Sequence, residues 1–143
     1  MNKTTTYRVL VASLAIVYIA FGLPKVFGVS SVTDLIHAGF PFFDNTIIAI
    51  MGVGEVVLGI ALLLKKTRSL AAVGIILHLL GTFSTMLFNF NYFFNSKTIF
   101  TLSGEFVFKN LVFIALALYI LSVENNFRSI KFLNKPNDPI QQN

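Results

Sequence analysis

The segment 46–64, TIIAIMGVGEVVLGIALLL, most restricts what this chain can fold into, because it is almost wholly apolar around one central carboxylate, Glu55. A run of about 18 or more such residues is long enough to cross the hydrocarbon core of a bilayer as a helix. A carboxylate at that depth is costly, so Glu55 must face other protein and have a partner. Gly52 and Gly59 fall on the same helical face and allow another helix to approach closely. The segment therefore predicts a membrane-spanning helix with an inward-facing acid.

The composition extends this interpretation to the whole chain. Of the 143 residues, 55% are hydrophobic and only 12% are charged, and the charged share is about half that of a soluble domain. The absence of cysteine excludes a disulfide framework, thiol catalysis and thiolate-bound clusters. Two histidines argue against a dedicated metal site. The basic residues lie at predicted helix ends rather than in one patch, so we expect no nucleic-acid partner.

Four apolar segments predict an all-α membrane protein, a four-transmembrane-helix bundle formed by residues 1–124. The spans are predicted at about 9–27, 46–64, 69–88 and 106–123. Residues 29–45 contain a capping signal and then Gly39 and Pro41, which predicts a short interfacial helix in the first outer loop. Residues 89–105 are rich in Phe and Tyr, as in an aromatic belt at headgroup level, and could form a small hairpin. The polar residues 125–143 predict a disordered cytoplasmic tail.

The basic residues are divided unequally between the two ends of such a bundle. Basic residues are enriched in cytoplasmic loops, so the end with more of them is expected to face the cytoplasm. This predicts an N-in/C-in topology in which the two longer loops face outward. Eight basic residues share the end that carries both termini, against two at the other: Lys3, Arg8, Lys65, Lys66, Arg68, Arg128, Lys131 and Lys135 against Lys25 and Lys97.

The ionisable residues within or beside the spans predict a polar pocket in the outer half of the bundle. Because Cα–Cβ bonds tilt toward a helix's N-terminus, Lys25 and Glu55 lean toward each other from antiparallel helices. Glu55 lies roughly 13 Å below the outer boundary, at about 1.5 Å per residue, and Lys25 only a few Å below it. We therefore expect their contact to require water or a kink at Pro24. The candidate ligand-binding residues are Glu55, Lys25, Lys109, His78, Glu105 and Tyr18.

Structural roles for the same residues stay open. Glu55 with Lys25 or His78 could serve only to lock the helices in order. Lys25 and Lys109 could snorkel to the headgroups, and His78 could be a hydrogen-bonded packing residue. Glu105 and Lys109 are also spaced i,i+4, in the order that favours an ion pair on one helix.

The chain resembles the DoxX and DoxX-like proteins over roughly residues 7–122. The resemblance is carried by FGLPKVFG (21–28), AGFP (38–41), GEVVLGIALLL (54–64) and SGEFVFKNLVFIALAL (103–118). It implies a small multi-pass protein of the bacterial cytoplasmic (inner) membrane, with Gly22, Lys25, Glu55 and Lys109 at the family's recurring polar positions. Glu105 departs from the pattern, which has a neutral or basic residue there. Some relatives are linked with membrane oxidoreductases that pass electrons to quinone.

Three functions compete at this stage. The first is a membrane subunit of an oxidoreductase, with quinone as its candidate cofactor and a membrane or periplasmic redox protein as its partner. The second is a binder or carrier of a lipid or small amphiphilic molecule. The third is a structural or assembly partner with no ligand, and a homo-oligomer is also open. A stand-alone enzyme is not expected, because the sequence has no nucleophile–base constellation, metal set or phosphate loop.

Overall fold

The structure is a computed structural model that describes residues 2–95 and 99–133, with side chains described as far as Asn126. The described residues form helices joined by short loops, together with one antiparallel two-stranded ribbon. The elements are α1 (Lys3–Val26), α2 (Thr33–Gly39), α3 (Asn45–Leu63), α4 (Arg68–Phe88), α5 (Phe90–Phe93), β1 (Phe94–Asn95), β2 (Ile99–Phe100), α6 (Leu102–Phe108) and α7 (Asn110–Leu133).

Each of the four predicted spans overlaps a long apolar helical stretch. Four helical stretches are long and apolar enough to cross a membrane: α1, α3, α4 and Leu102–Asn126. Side-chain caps fix several of their starts: Asp44 Oδ1 accepts from the Ile47 amide at 2.8 Å, and Thr101 Oγ1 accepts from the Gly104 amide at 3.1 Å. Their outward faces expose large apolar side chains, such as Ile16, Ile50 and Val112. Together these features indicate a multi-pass membrane protein.

The connecting segments match the prediction in part. The short helix α2 is confirmed, and so is the hairpin, in which Phe94 pairs with Phe100 and Asn95 with Ile99. The fourth long helix begins earlier than predicted, is interrupted at Lys109 and continues to Leu133. The helix extends beyond the predicted span because that span was ended where hydropathy falls. A helix can continue through polar residues until Gly, Pro or a cap ends it. The rest of the predicted tail, 134–143, lies outside the described residues.

The long helices form a bundle with antiparallel neighbours. α1 and α4 each pack against both α3 and α7, so α3 and α7 occupy diagonally opposite corners. We call the end where α1 begins the basal end and the end where α1 terminates the distal end. The basal half is filled by an apolar core. In the distal half, α2, α5, α6 and the ribbon cover the bundle, and Phe93 and Val107 are buried there.

Glycines bring α1 and α3 into backbone contact, as predicted for the face around Glu55. A Cβ atom added to Gly52 would lie 2.7 Å from the Gly22 carbonyl oxygen and 2.7 Å from Lys25 Cβ. At Gly59 it would lie 2.9 Å from the Ala15 carbonyl oxygen. Because the obstacles include backbone atoms, the two helices approach this closely only without side chains at these positions.

We predict that Gly52→Ala lowers the free energy of unfolding by about 1–3 kcal/mol, the usual cost of overpacking a well-filled interface. Thermal unfolding of the detergent-solubilised protein measures the change. Gly54→Ala is the matched control on the same helix, because a Cβ there meets nothing within 4 Å. Equal unfolding temperatures for the two variants would contradict the close α1–α3 contact.

Candidate functional site

A buried ion pair between α1 and α3 forms the centre of the site. Lys25 Nζ donates to Glu55 Oε1, and the two residues are only 7% and 4% exposed. The contact is direct, so it needs no bridging water, and Pro24 lies within α1 immediately before Lys25. Lys25 is the last basic residue of α1, one turn beyond Gly22. Because Gly22 and Gly52 let the backbones of α1 and α3 approach closely, the long Lys25 side chain can reach the Glu55 carboxylate.

His78 and Tyr18 extend this pair into a chain of polar groups. His78 Nε2 lies 3.2 Å from Glu55 Oε1, and His78 Nδ1 lies 3.3 Å from the Tyr18 hydroxyl. If Nε2 donates to the carboxylate, the neutral ring accepts at Nδ1, and Tyr18 is the donor there. The same hydroxyl lies 3.3 Å from the Ile75 carbonyl oxygen, which is an alternative acceptor for its single proton. The structure thus joins four of the predicted site residues across α1, α3 and α4.

The second oxygen of the Glu55 carboxylate has no partner in the part of the chain that the structure describes. Among the described residues, no donor reaches Glu55 Oε2, although the atom is fully buried. Oε1, by contrast, is contacted by both Lys25 and His78. A buried carboxylate oxygen without a hydrogen bond carries an uncompensated desolvation cost. Such an atom requires an explanation, of which a ligand or water donor is one.

A cavity of about 170 Å³ lies beside this chain in the distal half of the bundle. A cavity of about 150 Å³ with apolar walls accommodates a benzene ring, so this one fits a single ring. Its walls come from α1, α2, α3, α4, α6 and α7. Most of the lining is apolar and includes Val17, Phe21, Leu35, Met51, Phe106 and Phe113. The polar part of the wall is formed by Lys25, Glu55, His78 and Tyr18.

The two other predicted site residues are placed differently. Lys109 lines the cavity at the break between α6 and α7, where its side chain is exposed and its Nζ lies 5.6 Å from the centre of the Phe106 ring. Glu105 is exposed and does not line the cavity. α6 buries Gly104 and Val107 instead. That orientation turns Glu105 outward, and the described ion pairs do not include one between Glu105 and Lys109.

Asn110 is a cavity residue that the sequence analysis missed. It is only 7% exposed and lines the cavity from α7, diagonally across the bundle from Glu55 on α3. Its amide takes part in none of the side-chain hydrogen bonds found among the described residues. The available signal was an amide side chain directly after Lys109 in an otherwise apolar span.

A second polar cluster, also missed, joins the helices at the basal end. Glu124 Oε1 accepts from the Tyr7 hydroxyl at 2.6 Å and from Arg68 Nη1 at 3.0 Å. Arg68 also donates to the carbonyl oxygens of Leu62 and Leu63, at 2.8 and 3.1 Å, where α3 ends. Its guanidinium therefore neutralises Glu124 and caps the C-terminus of α3. We call these three side chains the basal clamp. They do not line the cavity.

The fold and the site define a small helical protein with membrane-length helices and a buried ionisable chain beside a ring-sized cavity. Of the described side chains, no three His, Cys, Asp or Glu residues come together as a metal-binding group. Comparisons with protein-family models, with curated proteins and with solved structures found no match. The functional conclusions below therefore depend on the geometry of the cavity.

We predict that Lys25→Met lowers the free energy of unfolding by about 3–5 kcal/mol, because it leaves the Glu55 charge buried without its partner. Chemical or thermal unfolding in detergent measures the loss. Lys66→Met, at an exposed position, is the matched control and should change little. The double variant Lys25→Met with Glu55→Met should recover most of the loss, since an apolar pair of similar volume needs no compensation. A stable single variant would contradict the ion pair.

Proposed function

We propose that this protein is a membrane subunit of a quinone-linked oxidoreductase system and that its distal cavity binds the quinone headgroup. The observation that carries the proposal is that Glu55, a buried acid in a chain of polar groups, lines a ring-sized apolar cavity. A quinone headgroup combines an apolar ring with oxygen atoms at opposite ends. The lining supplies both an apolar surface and polar groups on diagonally opposite helices, Glu55 on α3 and Asn110 on α7.

The residues of the polar chain can hold and move protons beside such a ring. His78 joins the other two groups: its Nε2 lies 3.2 Å from Glu55 Oε1, and its Nδ1 lies 3.3 Å from the Tyr18 hydroxyl. Both distances are within or just beyond ordinary hydrogen-bond reach. Reduction of a quinone takes up two protons with two electrons, and these three groups are of the types that transfer protons at active sites. The electrons would come from a membrane or periplasmic redox protein that binds this subunit.

The position of the cavity fits the proposed orientation in the membrane. Basic residues concentrate at the basal end, so the positive-inside rule would place that end in the cytoplasm and the cavity in the outer half of the bilayer. The resemblance to DoxX-like proteins of the bacterial inner membrane supports the same placement. A partner outside the cytoplasm would therefore approach the distal cover, formed by α2, α6 and the ribbon.

A second candidate function is the binding of an amphiphilic lipid. Lys109 favours it, because its exposed side chain lies at a cavity wall and could hold an anionic headgroup while the apolar lining takes part of a chain. The cavity volume of about 170 Å³ argues against a lipid as the ligand, since the cavity accommodates a ring but only a short part of an acyl chain.

We expect quinone, measured as the sum of its oxidised and reduced forms, to co-purify with the wild-type protein and to fall at least about tenfold in Glu55→Gln. The reason is that a quinol hydroxyl can donate to the ionised carboxylate, and a hydrogen bond to a charged group contributes about 1.5–3 kcal/mol. Quinone is extracted from protein purified out of native membranes and is quantified against protein by chromatography. Glu105→Gln is the matched control, since it makes the same chemical change at an exposed carboxylate outside the cavity.

A cavity-filling variant separates ligand loss from general damage. Met51→Trp fills the cavity without altering Lys25, Glu55 or His78, and it should also remove quinone while the protein still unfolds cooperatively. Wild-type protein that carries no quinone, or equal amounts in all four proteins, would overturn the proposal. Loss of a bound phospholipid in Lys109→Ala, with no quinone in any protein, would favour the lipid function instead.

A further inference from the structure

The exposed part of the cavity wall lies at the seam between α1 and the junction of α6 with α7. Among the described residues that line the cavity, two are exposed: Phe21 on α1 and Lys109 at that junction. Phe106 joins them, because its ring centre lies 5.7 Å from that of Phe21 and 5.6 Å from Lys109 Nζ. We call these three side chains the lateral mouth of the cavity.

We infer that the lateral mouth opens the cavity to the bilayer and that the ligand is a ring with a long apolar tail. The ring enters the cavity through the mouth, and the tail stays outside among the lipid chains. This inference rests on the proposed function, because it names the class of quinone that the same cavity takes and the route by which it arrives.

The position of the mouth places it against lipid. Phe21 lies five residues before the end of α1 at Val26, which puts it about 7.5 Å below the distal end of the helix at about 1.5 Å per residue. The outward faces of the helices that meet there are apolar, since Ile16 on α1 is 64% exposed and Val112 on α7 is 68% exposed. In a multi-pass membrane protein such faces contact acyl chains.

The size of the cavity requires a tail to remain outside it. A volume of about 170 Å³ accommodates one ring and leaves no room for a long chain beside it. A tail that leaves through the lateral mouth keeps its apolar surface in the hydrocarbon of the bilayer. A tail that left through the distal end would be exposed to water, which is unfavourable for an apolar surface.

The seam between α1 and α7 is closed by different contacts at its two ends. At the basal end the Tyr7 hydroxyl donates to Glu124 at 2.6 Å, and the Tyr7 ring meets the Tyr119 ring edge-on at 6.5 Å. At the mouth, Phe21 and Phe106 meet edge to face with an interplanar angle of 87°. Exposed side chains change rotamer within nanoseconds. Rotation of the exposed Phe21 ring can therefore widen the mouth while the basal contacts hold the helices together.

A photoreactive probe locates the tail on the full wild-type chain. The protein is placed in lipid nanodiscs with a benzoquinone whose ten-carbon tail carries a diazirine, and labelled residues are identified by mass spectrometry after illumination. We expect label within residues 16–23 of α1 and 105–112 around the junction of α6 with α7, and an excess of the same quinone without the diazirine should remove it.

The outcomes of this labelling separate the two proposals. Label that the excess removes from the distal cover instead of the mouth would overturn this inference alone, because the ring would then bind with its tail elsewhere. The absence of any label that the excess removes would overturn the proposed function as well. Neither result depends on a variant that has to fold.

A cleavable crosslink tests whether the mouth has to open. The chain has no cysteine, so Phe21→Cys with Phe106→Cys can be joined selectively by a short bifunctional thiol reagent that a reductant cleaves. The crosslinked protein should show at least about tenfold less of the competed label, a loss that corresponds to about 1.4 kcal/mol of binding free energy. Cleavage should restore the label in the same sample. Equal labelling before and after cleavage would overturn entry through the mouth.

The matched control for the crosslink is Phe40→Cys with Phe88→Cys. These two rings are also 5.7 Å apart and lie at the distal end, but neither residue lines the cavity. Crosslinking them should leave the label at the mouth unchanged. An equal loss of label in both crosslinked proteins would contradict a specific role of the mouth.

Discussion

The burial of Glu55 is the constraint on which the rest of the structure depends. An ionised carboxylate in the middle of an apolar helix must have a basic partner, and Lys25 supplies it from α1. The requirement fixes which faces of α1 and α3 meet, and Gly22 and Gly52 let the helices come close enough for the side chains to join. A buried ion pair adds little net stability, because desolvation offsets the attraction. Its effect is to make every other packing of these two helices much worse.

The two ends of the bundle are closed by different means. At the basal end, the clamp of Tyr7, Arg68 and Glu124 ties α1, α4 and α7 together and satisfies the last carbonyls of α3. The basal core is apolar. At the distal end the cover consists of short helices and a ribbon, and the cavity lies beneath it. The polar chain from Lys25 to Tyr18 runs along one wall of that cavity, where a ligand can meet it.

Local signals predicted most of the helices and five of the polar residues that line the cavity, whereas tertiary arrangement decided the remainder. The length of an apolar run and the position of small residues relative to Glu55 are read directly from the sequence, which is why α3 and its partner face were predictable. The outward turn of Glu105 follows from the burial of Gly104 in α6, and Glu124 pairs with Arg68 across 56 positions of sequence. Neither arrangement can be predicted from hydrophobic periodicity in the sequence, because both depend on contacts between distant elements.

A purely structural lock would account for Lys25 and Glu55 but not for what surrounds them. An unpaired buried oxygen alone does not indicate a ligand, since Ser69 Oγ also lacks a partner among the described residues and does not line the cavity. Glu55 differs because it lines the cavity, with Asn110 on the diagonally opposite helix. A lock needs no empty volume beside it and is most stable when every polar atom is paired. The coincidence of a ring-sized cavity with polar groups that lack partners is what a binding site requires.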